Sequence, residues 1–240
     1  IASAFVDAGA SVVIVGRRAD VLGDAAERLG PKVIAITHDV TDLDSAEALF
    51  DSIKTATGRA PSILVNNAGA SWGAPLDEFP EKGWDKVMDT NVKGVFFLTQ
   101  ALLPMLRAAG TAESPSRVIN IGSVDGIGTP MFDTYSYGPS KAALHHLTRM
   151  LAARLVREHI LVNAIAPGPF PTWMLSTGVG FGGKVEGDGV DWDAVGRTNP
   201  RGRVGTPEDI AGVAIFLASR AGAYTVGEVV TCDGGLLVAR

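Results

Sequence analysis

The stretch Thr134 to Leu147 reads TYSYGPSKAALHHL and carries three side chains able to handle a proton: Tyr135, Tyr137 and Lys141. On a helix, residues four apart share a face. Lys141 is therefore placed to work with Tyr137 and not with Tyr135. An unperturbed phenol titrates near pH ~10, and a cation held close by favours the phenolate and lowers that value. A tyrosine so tuned can protonate a carbonyl oxygen, or take the proton of an alcohol, near neutral pH. A single Tyr-x-x-x-Lys also describes the face of any amphipathic helix, so its meaning depends on what else the fold brings to it. Tyr135 reads as a pocket wall or as simple packing.

The surrounding pattern alternates strands and helices. Apolar, β-branched runs occur at Ser11–Val15, Lys32–Thr37, Ser62–Asn67, Arg117–Gly122, Ile160–Gly168 and Glu228–Gly235. Most are apolar on successive residues, as in a parallel strand covered on both faces. Between them lie helical patterns: 20–30 closing on Gly30, 41–58 with Thr41 as N-cap and Gly58 as C-cap, 91–110, 137–159, and 206–219 with Pro207 at its first position. Pro139 is tolerable because it falls in the first turn of its helix. The alternation predicts an α/β fold, a doubly wound parallel sheet of Rossmann type with helices on both faces. All 240 residues read as one domain, with a substrate lid around 170–200. In such a sheet ligands bind beyond the carboxyl ends of the strands. The candidates there are Gly16-Arg17-Arg18, His38-Asp39-Val40, Asn66-Asn67-Ala68-Gly69, Gly122-Ser123 and Pro167-Gly168.

Bulk properties narrow the function. The chain is 46% hydrophobic and 20% charged, enough for a full core. Its net charge of −5 and scattered basic residues argue against nucleic acid as a partner. No uninterrupted apolar run reaches the roughly 18 residues of a membrane span, and no secretory signal is visible, so a cytoplasmic protein without a membrane partner is expected. Cys232 is the only cysteine. It allows no intrachain disulfide and no cysteine metal cage, and it reads as a buried strand residue. His38, His145, His146 and His159 form no recognisable metal set and read as surface or packing residues. Trp72, Trp84 and Trp192 read as core or pocket-rim aromatics.

The segments NNAG (Asn66–Gly69), NVKG (Asn91–Gly94), Ser123 at a strand end, YGPSK (Tyr137–Lys141), PGPFPT (Pro167–Thr172) and DGG (Asp233–Gly235) together resemble the short-chain dehydrogenase/reductase family over nearly the whole chain. The text around YGPSKAALHHLTRMLA and NAIAPGPFP is similar to bacterial 3-oxoacyl reductases of the rhamnolipid-associated type. The resemblance implies a catalytic set of Asn91, Ser123, Tyr137 and Lys141. Tyr137 would be the acid/base, Lys141 its tuner and a ribose ligand, Ser123 a hydrogen-bond donor to the substrate oxygen, and Asn91 the holder of a proton-passing water. Asp39 and Val40 would flank an adenine. Asn67, Ala68 and Gly69 would let backbone pass close to the cofactor, with Pro167 and Gly168 beside it and Thr172 at its carboxamide end. A homotetramer paired through the two long helices also follows from the resemblance.

The identity of the dinucleotide is read from VVIVGRR. Gly16 stands where an NAD-preferring member carries an acid, and Arg17 and Arg18 follow. A planar guanidinium pairs bidentately with phosphate, so NADP(H) is expected. The family also opens with a strand and a Gly-rich turn for the pyrophosphate, and neither is present before IASAFVDAGA. That strand would be central in the sheet, so the chain beginning at Ile1 is expected to be a piece of a longer one. A literal G-x-G-x-x-G at Gly178, Gly180 and Gly183 follows no strand and opens no helix, and so is not the phosphate loop. It falls in the lid, where Trp173, Met174, Leu175 and Phe181 would close on an apolar substrate.

These readings converge on NADPH-dependent reduction of a ketone to a secondary alcohol, with a 3-oxoacyl thioester as the favoured small-molecule substrate. The alternatives are a dehydrogenase or reductase of another secondary alcohol, such as a sugar or steroid, and a non-catalytic dinucleotide-binding regulator that kept the fold.

Overall fold

The computed structural model describes residues 1–130, 132–176 and 190–239. The elements run α1 (Ala2–Asp7), β1 (Val12–Gly16), α2 (Ala19–Leu29), β2 (Val33–Thr37), α3 (Ala46–Thr57), β3 (Ile63–Asn66), α4 (Glu81–Met88) and α5 (Gly94–Ala109). They continue with β4 (Ser116–Ile121), α6 (Tyr137–Leu155), β5 (Ile160–Pro167), α7 (Trp173–Ser176), α8 (Trp192–Arg197), α9 (Pro207–Ala218) and β6 (Val229–Cys232). Every strand pairing is parallel. The strands fall into a pair, β1-β2, and a four-stranded sheet in the order β3-β4-β5-β6.

Alternation along the strands divides the core into two layers. Val118, Ile160 and Val162 meet Leu49, Ile53, Leu102, Met105, Leu106 and Leu155 of α3, α5 and α6. Ile119 and Ile165 point the other way, towards Phe5 of α1 and Ala214 and Leu217 of α9. Helices thus cover both faces, as the continuous apolar runs require. Among the described residues no strand joins β1 to β3. Val13, Val15, Ile63 and Val65 line an open slot there, where the sequence pattern lacks a strand.

Several helix ends differ from expectation. The α3 helix starts at Ala46 rather than beside Thr41. The Thr41 amide and hydroxyl instead donate to Asp39 Oδ1, at 3.0 and 2.8 Å. This local turn competes with the helix for Thr41. Helix α4 was not legible, because EKGWDKVM has few apolar positions and an internal glycine. Gly83 sits there because a Cβ would meet the Trp72 ring at 2.6 Å. A π-helical turn at Asp89–Lys93 joins α4 to α5, so Asn91 lies inside a continuous helical run and does not open one. That run, Glu81–Ala109, is 29 residues with a most apolar window of mean hydropathy 1.2, long and apolar enough by composition to cross a membrane. Leu102, Met105 and Leu106 within it are nevertheless buried in the core.

Gly30 and Gly58 end α2 and α3 with positive φ, and Pro207 opens α9 inside a Thr206–Asp209 capping box. Arg117 is buried at the start of β4, where its Nε and Nη2 donate to the Leu217 and Ser219 carbonyls at 3.1 and 3.3 Å. It thereby satisfies the carboxyl end of α9, which lacks a basic residue of its own.

A buried polar chain crosses the sheet just below the site. Thr99 Oγ1 donates to the Val95 carbonyl at 2.7 Å, and Asn66 Nδ2 donates to Thr99 Oγ1 at 3.1 Å and to Asn120 Oδ1 at 2.8 Å. Asn120 Nδ2 donates to Thr148 Oγ1 at 2.9 Å. The chain ties α5, β3, β4 and α6 together at the last residue of β3 and one residue before the end of β4. Asn120→Ala removes two of these bonds and is expected to cost about 2 kcal/mol. Urea unfolding checks this, and a loss under about 0.5 kcal/mol would show that the chain adds no stability.

Candidate active site

Tyr137 is the first residue of α6, and Lys141 lies one turn on. The Lys141 Nζ stands 5.5 Å from the centroid of the Tyr137 ring, so the two share a face. Lys141 is only 4% exposed. Its Nζ donates to the Ile121 carbonyl at 2.8 Å, at the end of β4. Burial pulls the ammonium down to about 8.

Ser123 follows β4 and caps a short 3-10 turn, where its hydroxyl accepts from the Asp125 amide at 3.2 Å. The Tyr137 phenol is hydrogen-bonded to Ser123 and feels the Asp125 carboxylate. Desolvation dominates, and the phenol is pushed up to about 12. The sequence expectation was the reverse, a phenol lowered by Lys141. The ammonium lies over the ring and is itself destabilised by burial, while the hydroxyl end of the tyrosine is dry. Tyr135 stays outside this group. Its hydroxyl donates to Asp133 Oδ1 at 2.8 Å, and its ring packs edge-on against Phe79.

Asn91 is fully buried in the π-turn. Its Nδ2 donates to the Ala70 carbonyl and to Ser140 Oγ, both at 2.9 Å, and its Oδ1 accepts from the Ala70 amide at 2.8 Å. Both amide protons are therefore spent on protein. The side chain pins the Asn67–Ala70 turn to α6, and a water relay cannot draw on those protons.

The strand ends converge on one cleft. Asn67, Ala68, Gly69, Ser123, Tyr137 and Lys141 line one cavity, which runs on between β1 and β3 past Val13, Ile53 and Leu106. Pro167, Gly168 and Thr172 border it, and Val40 joins it to a second hollow lined by Gly16, Arg17, His38 and Asp39. Gly168 is obligatory, because a Cβ there would lie 2.8 Å from Asp233 Cα. Arg17 and Arg18 are exposed, and Arg17 Nη1 stands 3.8 Å from Asp39 Oδ2. Slight burial disfavours ionised Asp39, but hydrogen bonds from Thr41 and the Arg17 charge outweigh it and hold the carboxyl below its ordinary value. The Thr172 hydroxyl accepts from the Leu175 amide at 3.3 Å. Trp173, Met174 and Leu175 line the cavity. The Gly178, Gly180 and Gly183 motif and Phe181 lie outside the described residues.

These residues fit a dinucleotide. Among the described residues Lys141 Nζ meets a single acceptor, which leaves two ammonium protons for a ligand such as a ribose. Gly69, whose Cβ would stand 3.7 Å from that Nζ, keeps the approach open.

A family model described as enoyl-(acyl carrier protein) reductase matches residues 1–237. The rhamnolipids biosynthesis 3-oxoacyl-[acyl-carrier-protein] reductase of Pseudomonas aeruginosa is 47% identical over 98% of this chain and 90% of its own length. The chain belongs to the short-chain dehydrogenase/reductase family. Gluconate 5-dehydrogenase of Gluconobacter oxydans is a more distant member, 36% identical over 96% of this chain and 86% of its own. A P. aeruginosa structure described as an RhlG/NADP active-site complex superposes with a TM-score of 0.90 at 47% identity, covering 98% of this chain and 90% of that one. The doubly wound fold is thus shared with solved family members.

Sequence reasoning passed over His145 and Asp125. His145 was read as packing, although it lies four residues beyond Lys141 on the Tyr137 face. Asp125 stands two residues after Ser123 and carried no separate signal.

The Lys141 shift sets a pH dependence. Its folded value of about 8 lies below the ordinary 10.5. The unfolded chain therefore binds more protons between these values, and stability rises with pH there. Lys141→Met removes that dependence. Against it, the ligand-free protein is expected to gain on the order of 3 kcal/mol between pH 8 and 10.5. Parallel unfolding curves at the two pH values check this, and a constant difference would show that the ammonium is not desolvated.

Proposed function

We propose that the protein reduces the ketone of a 3-oxoacyl thioester to a secondary alcohol, using NADPH. The observation that carries this reading is the joining of Ser123 and Tyr137 over buried Lys141, at the floor of a cleft whose other wall is apolar. When bound, the reduced dinucleotide supplies the hydride. Ser123 and Tyr137 donate hydrogen bonds to the carbonyl oxygen. A phenol near 12 is protonated at neutral pH, which suits a proton donor to a developing alkoxide, a much stronger base. Lys141 stabilises the phenolate left behind. It also offers its two remaining protons to the ribose. Asn91 holds the Ala70 turn, and with it Asn67–Gly69, at the height the cofactor needs.

Arg17 and Arg18 supply guanidinium groups for the phosphate that distinguishes NADP(H), with Arg17 shared with Asp39. The NADP in the P. aeruginosa relative supports this choice. Phe170, Trp173, Met174 and Leu175 around the cavity favour an acyl chain over a polyol such as gluconate. A homotetramer in the cytoplasm is part of the same proposal. Exposed Met150 on α6 and Phe216 on α9 offer apolar surface for assembly.

NADPH oxidation followed with acetoacetyl thioester, a ketone panel and a 2-enoyl thioester tests the reaction. Turnover of the enoyl substrate alone would overturn it. Tyr137→Phe is expected to lower kcat by about 10²–10⁴-fold while NADPH still binds, by fluorescence titration. Retained turnover would remove the acid role. Arg17→Ala is expected to raise the NADPH KM at least about tenfold more than the NADH KM, the loss of one charge-assisted phosphate contact. Equal losses would show that the guanidinium does not read the phosphate.

A further inference from the structure

Tyr137, Lys141 and His145 form a four-residue series along one face of α6, and the third member has had no role. His145 is 3% exposed. Its Nε2 faces the main-chain amide of Ser123 at 3.4 Å, and the amide donates to it. The imidazole also packs against the backbone of Gly126, at the other end of the turn that Ser123 caps. The ring is clamped in place. A Cβ on Gly122 would lie 2.1 Å from His145 Nε2, and one on Gly126 would lie 2.9 Å from His145 Cε1. Two glycines thus make room for an imidazole that a smaller residue would leave as a void.

We propose that His145 is a positioning residue that holds the Ser123 turn, and so aims the Ser123 hydroxyl at the substrate oxygen. The proposal rests on the carbonyl-binding role given to Ser123 above. Ser123 lies on an irregular turn after β4, where no strand ladder fixes its backbone. An imidazole that accepts from the Ser123 amide at one end and packs on Gly126 at the other adds a side-chain constraint to the Gly126–Ser123 backbone bond of that turn. A neutral ring that donates at one nitrogen accepts at the other. Burial, then the Lys141 and Arg149 charges, pull the imidazole down to about 4 against the opposing Gly126 backbone, so the acceptor lone pair is present at neutral pH. The hydroxyl then needs little reorganisation as charge develops on the oxygen.

The test uses His145→Leu and His145→Gln in the full chain, each also combined with Ser123→Ala. Amide hydrogen exchange at Ser123 is read without any ligand. Protection is expected to fall at least about tenfold in His145→Leu and to return in His145→Gln, whose amide can both accept and donate. With NADPH and acetoacetyl thioester, His145→Leu is expected to lower kcat about tenfold while NADPH affinity changes less than about twofold. In the Ser123→Ala background the same change is expected to have less than about a twofold effect, because the group it aims is gone. Unchanged Ser123 protection overturns the proposal. So does an equal kcat loss in both backgrounds, or a loss of protection spread over all of α6 with failed rescue by glutamine. If Ser123→Ala alone leaves kcat intact, the carbonyl-binding role of Ser123 fails, and the exchange measurement still decides whether His145 holds the turn.

Discussion

A positive charge confined in a dry place governs this molecule. The Lys141 ammonium is buried, has the Ile121 carbonyl as its one acceptor among the described residues, and sits over the ring of Tyr137. Such a group is costly to the folded chain. The cost is borne because the same desolvation makes the ammonium a strong electrostatic partner for anything anionic or polar that enters the cleft. The nearby phenol is shifted by the same dryness in the opposite direction, which keeps its proton in place until an acceptor arrives. The rest of the site serves to keep the two side chains a single helical turn apart and in contact with the cleft.

The architecture does this by locking elements to one another just beneath the strand ends. The polar chain from Val95 through Asn66 and Asn120 to Thr148 joins two helices and two strands by side chains that water cannot reach. Asn91 adds a second tie, from the π-turn to both Ala70 and Ser140. Asn66 Oδ1 is buried without a partner among the described residues, while the other links are made, and such paired polar groups permit one register and disfavour its neighbours. Here that register places Asn67–Gly69, Ser123 and Lys141 around one cavity.

Much of this was legible from residue types and spacing. Parallel strands announce themselves by unbroken β-branched runs, and the four-residue interval from Tyr137 to Lys141 by itself places both on one face. The strand-end rule named the residues around the cleft. What escaped were features set by particular contacts, some local and some long-range. Thr41 looks like a helix cap until Asp39 is seen to capture its amide and hydroxyl. Helix α4 is short, and the close approach of Gly83 to Trp72 that seats it is a contact periodicity does not reveal. The direction of the Tyr137 shift depends on how dry the hydroxyl is, which spacing does not encode. The Asn91 side chain proved to be engaged with backbone 21 residues away. His145 carried a readable interval, but the significance of that interval lay in Gly122 and Gly126, two positions that no periodicity connects to it.

The Ser123 and Tyr137 hydroxyls are held on different elements, one after β4 and one at the head of α6. Two such fixed points on one carbonyl oxygen orient the C=O axis but still allow a half-turn about it, which exchanges the ketone's two substituents and the face it presents. Under the proposed chemistry the handedness of the alcohol is therefore decided by the walls that sort those two substituents, with the apolar side of the cleft taking the longer one.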